Sequence, residues 1–180
     1  MHEQPFRGNG HVSTARHRSL YLSLKLNKNV ADFGTHYGGG KYDQGTIFRI
    51  GKTGSDFAVL YDFLGAIQPG DSTDGANPED RLAQGADGAI YGTTTFGGTP
   101  SGYGTALSLK LTNGKWVYKQ LRRFAAGSHF NDANLPHAGL VIDTNGVLYG
   151  AGAGGGRYQS GAVYELTPPT KAAGNAATRR

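Results

Sequence analysis

His129 and His137, with Asp132 between them, are the residues of this chain best suited by type to acid–base chemistry or to holding a metal, since both need imidazoles that converge with a carboxylate. Their His-x7-His spacing matches no established ligand pattern, and exposed loop histidines are common. They are therefore read first as loop side chains and second as a site. A second constellation is Lys41-Tyr42 in "GGKYDQG" (39–45), which returns as Arg157-Tyr158 in "GGRYQSG" (155–161). With Tyr103 in the intervening loop, these residues offer aromatic rings beside polar groups, the amphipathic chemistry of sugar stacking with hydrogen bonds. A loop that tucks its tyrosine under neighbouring structure would repeat in the same way.

Other chemistries fit poorly. Gly150, Gly152 and Gly155 satisfy G-x-G-x-x-G, but a dinucleotide cradle needs a helix behind it, and the short, β-branched and aromatic run from Gly161 to Leu166 follows instead. Gly51-Lys52-Thr53 ends like a P-loop with its earlier Gly45 one residue too far away. No G-x-S-x-G elbow supports a serine hydrolase, and Ser160 has no sequence-level partner. Asp71 and Asp74 lack the evident facing arrangement of a glycosidase pair. The run "DSTDGANPED" (71–80) lacks the alternating ligands of an EF-hand. With no cysteine, a disulfide scaffold and a Cys-based metal site are excluded. No cofactor is expected.

The elements that must position these residues come from repetition. "LKLNKNVADFGT" from Leu24, "LAQGADGAIYGT" from Leu82 and "LVIDTNGVLYGA" from Leu140 align without a gap at an offset of 58 residues. Each copy then continues through glycines into another strand-like run: Gly45-Thr-Ile-Phe, Gly104-Thr-Ala-Leu and Gly161-Ala-Val-Tyr. Alternation and turn chemistry resolve each copy into strands a to d. In the third copy, strand a is 138–143, Thr144-Asn145-Gly146 is the turn, b is 147–152 and c is 161–166. Strand d is "FAVLYDF" (57–63) in the first copy and "KWVYKQLRRF" (115–124) in the second. The fold class is all-β: a β-propeller-like array of four-stranded antiparallel blades, about two and three-quarter blades in this chain. Residues 1–18 are expected to form a disordered basic arm, 19–167 a single repeat domain and 168–180 a disordered tail. Pro168-Pro169 ends the ladder before a last strand d.

The phrases "AIYGTTTFGG" (89–98), "GTIFRI" (45–50), "VLYDF" (59–63), "DGANP" (74–78) and "AGLVIDTNGVLYG" (138–150) together resemble the GloVer tandem repeat of bacterial exported and surface-anchored proteins. The resemblance covers about residues 24 to 166. It implies a β-propeller-like array at an extracellular or cell-surface location, and little about ligand or reaction. No signal peptide is visible in this chain, and the first copy departs from the pattern with "DFGTH".

Charge narrows the partners. Of the net +5, the segments 1–30 and 171–180 hold +7 and residues 31–170 hold −2, so the repeat body has no basic stripe for a nucleic-acid groove. No apolar run is long enough to span a membrane as a helix. Alternating strands put the b–c and d–a loops on one face, which collects Tyr37, Lys41, Tyr42, Asp71, Asp74, Phe96, Tyr103, His129, Asp132, His137, Arg157 and Tyr158. Within it, Asp74-x-x-x-Pro78 and Asp132-x-x-x-Pro136 repeat and are expected to fix the d–a turn. Three functions remain: a non-enzymatic module that binds a ligand on this face, a glycan among the candidates; a propeller lyase or hydrolase; or a structural fragment without a ligand. An array with an open edge is expected to self-associate or to belong to a longer protein.

Overall fold

The computed structural model describes residues 22–25, 31–65, 74–98, 102–124 and 133–168. The expected arms lie largely outside these, as do His129 and Asp132. The described chain is all-β, with no helix. Among the described residues no helix is long and apolar enough to cross a membrane.

Three antiparallel sheets follow the repeats. The first has the order β1 (Leu22–Lys25), β2 (Ala31–His36), β3 (Thr46–Gly51), β4 (Ala58–Asp62). The second has β5 (Ala83–Gln84), β6 (Ile90–Thr94), β7 (Thr105–Thr112), β8 (Lys115–Arg123). After β9 (Ala133–Asn134), the third has β10 (Val141–Ile142) and β11 (Leu148–Gly152), then, past β12 (Gly154–Gly155), β13 (Ala162–Leu166). None closes on itself. The edge strands β5 and β10 are shorter than alternation predicts. The Gly139 amide, which would extend β10, donates instead to the Asp80 carboxylate of the preceding repeat.

The repeats agree in detail. A bulge shifts the register between Ile47 and Phe48 in the first sheet and between Ala106 and Leu107 in the second. Beyond it, the amides of Phe63 and Phe124 donate to the carbonyls of Gly45 and Gly104, both at 3.0 Å, and both rings are fully buried. The a–b turns use Gly88 and Gly146 at φ 78° and 84°, while the Asp143 carboxylate accepts from the Asn145 and Val147 amides, both at 2.8 Å.

Packing between sheets uses opposite faces. Ile47, Phe33 and Tyr61 of the first sheet meet Ile90, Leu107, Leu109, Trp116 and Tyr118 of the second. Tyr61 stacks on Tyr118 with centroids 4.5 Å apart. The other face of the second sheet, with Ala83, Tyr91 and Ala106, meets Leu140, Leu148 and Tyr164 of the third. Gly150 pairs across the ladder with Tyr164, and a Cβ there would lie 2.4 Å from the phenol, so glycine makes room for the ring.

A backbone tie joins each repeat to the next. The Asn77 amide donates to the Gln44 carbonyl (2.8 Å) and its carbonyl accepts from Thr95 (3.1 Å). One repeat later, Leu135 donates to Tyr103 and accepts from Ala153, each at 3.0 Å. The flanking residues also repeat: Ala76 bridges Phe96, and Asn134 in β9 pairs with Gly154 in β12. These short pairings across repeats were not predicted from alternation, because a one- or two-residue strand carries no period. Asn77 and Leu135 sit at φ 56° and 49°. Asn tolerates that region, and its side-chain amide donates to the Tyr37 carbonyl at 2.9 Å. Leucine does neither. Leu135→Asn is therefore expected to stabilise the protein by about 1 kcal/mol and to raise Tm by roughly 2–4 °C, with Asn77→Leu lowering it. Thermal melts of both variants test this, and a lower Tm for Leu135→Asn would refute the strain at this tie.

Candidate functional site

Ladder order sets the geometry of the loop face. The loop between β2 and β3, the end of β4 and the strand-like segment around Asn77 lie at one end of the first sheet: the Lys41 amide donates to Asp62 at 2.8 Å, and Asn77 reaches the carbonyls of Tyr37 and Gln44. Within the loop, the Gly45 amide donates to the Gly39 carbonyl (3.1 Å) and the Asp43 amide to Gly40 (3.5 Å). The loop between β11 and β13 repeats both bonds, Gly161 to Gly155 (3.0 Å) and Gln159 to Gly156 (3.1 Å). Asp43 and Gln159 both stand at φ 56°. The two loops have one backbone conformation at two places in the sequence.

On that shared backbone the basic and aromatic side chains pair. The Lys41 ammonium lies 5.0 Å from the Tyr42 ring centroid, and the Arg157 guanidinium lies 5.5 Å from that of Tyr158. Lys41, Arg157 and Tyr158 are exposed and Tyr42 is half-buried. A hydrogen bond with Tyr42 holds the Lys41 ammonium above its ordinary pKa. Tyr103, in the middle repeat, is placed differently: it packs against the apolar cluster between the second and third sheets, and its carbonyl belongs to the Leu135 tie.

His137 meets a partner that composition alone did not single out. Its Nδ1 lies 2.6 Å from a carboxylate oxygen of Glu79. The two residues are 58 apart, so they occupy the same position in adjacent repeats, each directly after the proline that follows the tie. That alignment of Pro78-Glu79 with Pro136-His137 is the sequence signal that could have found the pair. Among the described residues, no three His, Cys, Asp or Glu side chains gather to hold a metal ion. A recess lined by Lys119, Leu121, Leu166 and Pro168 involves none of these residues.

Asp74 has a structural setting. Its carboxylate accepts the Tyr61 hydroxyl and the Leu64 amide (3.1 Å), while its carbonyl accepts the Tyr118 hydroxyl. It thereby secures both rings of the stacked pair between repeats. Burial raises the carboxyl above 3.8, opposed by hydrogen bonds from Tyr61 and the Leu64 backbone that favour the ionised form. A carboxyl raised in the folded state favours folding where it is protonated, and that contribution fades as pH rises through its folded pKa. Tyr61→Phe removes a donor to the carboxylate and is expected to push the Asp74 carboxyl higher still. A carboxyl-carbon NMR titration reads this, and an unchanged or lower pKa would show that the hydroxyl does not support the anion.

No curated protein and no solved structure matches the chain. The profile of the Gloeobacter/Verrucomicrobia repeat matches residues 11–178, a span that takes in all three sheets, both basic–tyrosine loops and the ties between them. The chain belongs to the Gloeobacter/Verrucomicrobia repeat family.

Proposed function

We propose that this chain is a non-enzymatic β-propeller module of a bacterial exported or surface protein, and that its loop face binds an acidic glycan. Three meandering sheets in one repeat register support the propeller, as does the Glu79–His137 contact, because equivalent positions of successive blades approach one another near a common axis. The observation that carries the binding reading is the pair of cation–tyrosine dipeptides, 41–42 and 157–158, displayed on loops of one conformation. A ring offers its face to the apolar side of a sugar, and the adjoining cation offers hydrogen bonds or charge to hydroxyl and carboxylate oxygens.

Titration calorimetry against polygalacturonate, with neutral cello-oligosaccharides as comparison, tests this. Tyr158→Ala and Tyr42→Ala are each expected to weaken binding by about tenfold, the loss of roughly 1.4 kcal/mol. Binding that is absent in the wild type, or as tight in both variants as in the wild type, refutes the reading.

A second reading, a propeller lyase or hydrolase, draws on Glu79 and His137, a carboxylate and an imidazole within proton-transfer reach. Under the binding-only proposal, His137→Ala leaves polygalacturonate binding intact and no turnover is lost. Turnover by the wild type that disappears in His137→Ala would establish the enzyme instead.

A further inference from the structure

The faces of the sheets do not end alike. In the first and second sheets, the face carrying Phe33 and Ile47, or Tyr91 and Ala106, is covered by the following repeat, and Ile47 and Ala106 are 0% exposed. The corresponding residues of the third sheet are Tyr149 and Val163, on the same face as Val141. Val141 pairs with Tyr149, and Ala151 with Val163, across the ladder. There Val163 is 79% exposed, and Tyr149 is 39% exposed where Tyr91 is 7%. At the other end of the array, the opposite face of the first sheet is open along β4 and at Phe57 before it, while its Phe48 is buried, 5% exposed. Phe57 lies over Phe48 with ring centroids 5.4 Å apart, Val59 pairs with Phe48, and Phe57 and Val59 are both exposed. In the second and third sheets that opposite face, with Leu107 and Tyr164 at the Phe48 position, is the one packed against the preceding repeat.

We infer that the open face of the third sheet receives the open face of the first sheet of a second copy of this chain. The contact continues, between molecules, the packing that joins sheet one to sheet two and sheet two to sheet three within one molecule. It is heterologous: the two surfaces are different, so a rotation that closes gives a discrete ring and one that does not gives an open polymer. Repeats related by a common axis favour closure, and an apolar face covered at two of three equivalent positions favours the same cover at the third. The inference rests on repeat packing and is independent of any ligand on the loop face.

Light scattering and sedimentation velocity on the full chain over a wide dilution series test it. A discrete oligomer is expected in the wild type. Val163→Lys and Val59→Lys, both at exposed positions, are each expected to give monomers that still unfold in one cooperative transition, with the melting temperature lowered only by the loss of assembly. An equimolar mixture of the two variants should regain a heterodimer, since one intact face of each kind remains. A wild type that stays monomeric overturns the proposal. So does assembly that survives Val163→Lys. Loss in Val163→Lys with full retention in Val59→Lys would mean that two third sheets meet each other, and overturns the head-to-tail arrangement.

Discussion

The hydrogen-bonded tie at Asn77 and Leu135 is the constraint on which the rest of the array depends. Each of these residues donates to the b–c loop of its own repeat and accepts from the b–c loop of the next. A one-residue bridge thereby fixes the distance and rotation between neighbouring sheets. The residue that follows is Pro78 or Pro136, and its ring lies against Gly45 or Gly104. A Cβ on those glycines would fall 2.5 or 2.8 Å from the proline Cδ. They also stand at φ 98° and 93°, which an L side chain resists. Proline and glycine are fitted to each other beside the tie, and a side chain on either glycine would displace the proline ring.

Given that fixed step, the side chains follow. Opposite faces of successive sheets come into contact, and the aromatic residues settle across the junctions: Tyr61 on Tyr118 at the first, Phe124 against Tyr164 at the second with centroids 4.8 Å apart. Such ring pairs contribute about 0.5–1.5 kcal/mol beyond the area they bury. The array is stabilised by nearest neighbours, as repeat proteins are, and its middle sheet packs against both of the others. Asp74 strengthens the first junction by accepting the Tyr61 hydroxyl, and the Tyr118 hydroxyl turns to the same residue's carbonyl.

Much of the strand order was legible because the repeat multiplied a weak signal. Alternation in "FAVLYDF" or "KWVYKQLRRF" is unremarkable singly, but three copies at one offset place the a–b turn and the b–c loop in the same register. The face assignment of Lys41, Tyr42, Arg157 and Tyr158 followed from that order. The ties did not, since their strands are too short to carry a period and their partners lie in another repeat. Leu135 in particular gives no turn signal, being neither Asn nor Gly, and only its alignment with Asn77 hints at a positive φ. The partner of His137 was hidden for the same reason: pairs were sought within a loop, whereas Glu79 lies in the preceding repeat.

Repetition also separates side chains with architectural duties from those without. The loops 39–45 and 155–161 hold their shape with their own backbone hydrogen bonds and left-handed residues, and the same bonds form whether the side chains are Lys-Tyr-Asp-Gln or Arg-Tyr-Gln-Ser. Both loops carry a cation and a tyrosine at the first and second of these positions, whereas the sequence of the middle repeat has Thr99-Pro100 there. A cation beside a tyrosine, displayed on a loop already rigid without it, loses little conformational freedom on meeting a ligand. Tyr103 marks the contrast, because its ring is committed to the core and its carbonyl to a tie.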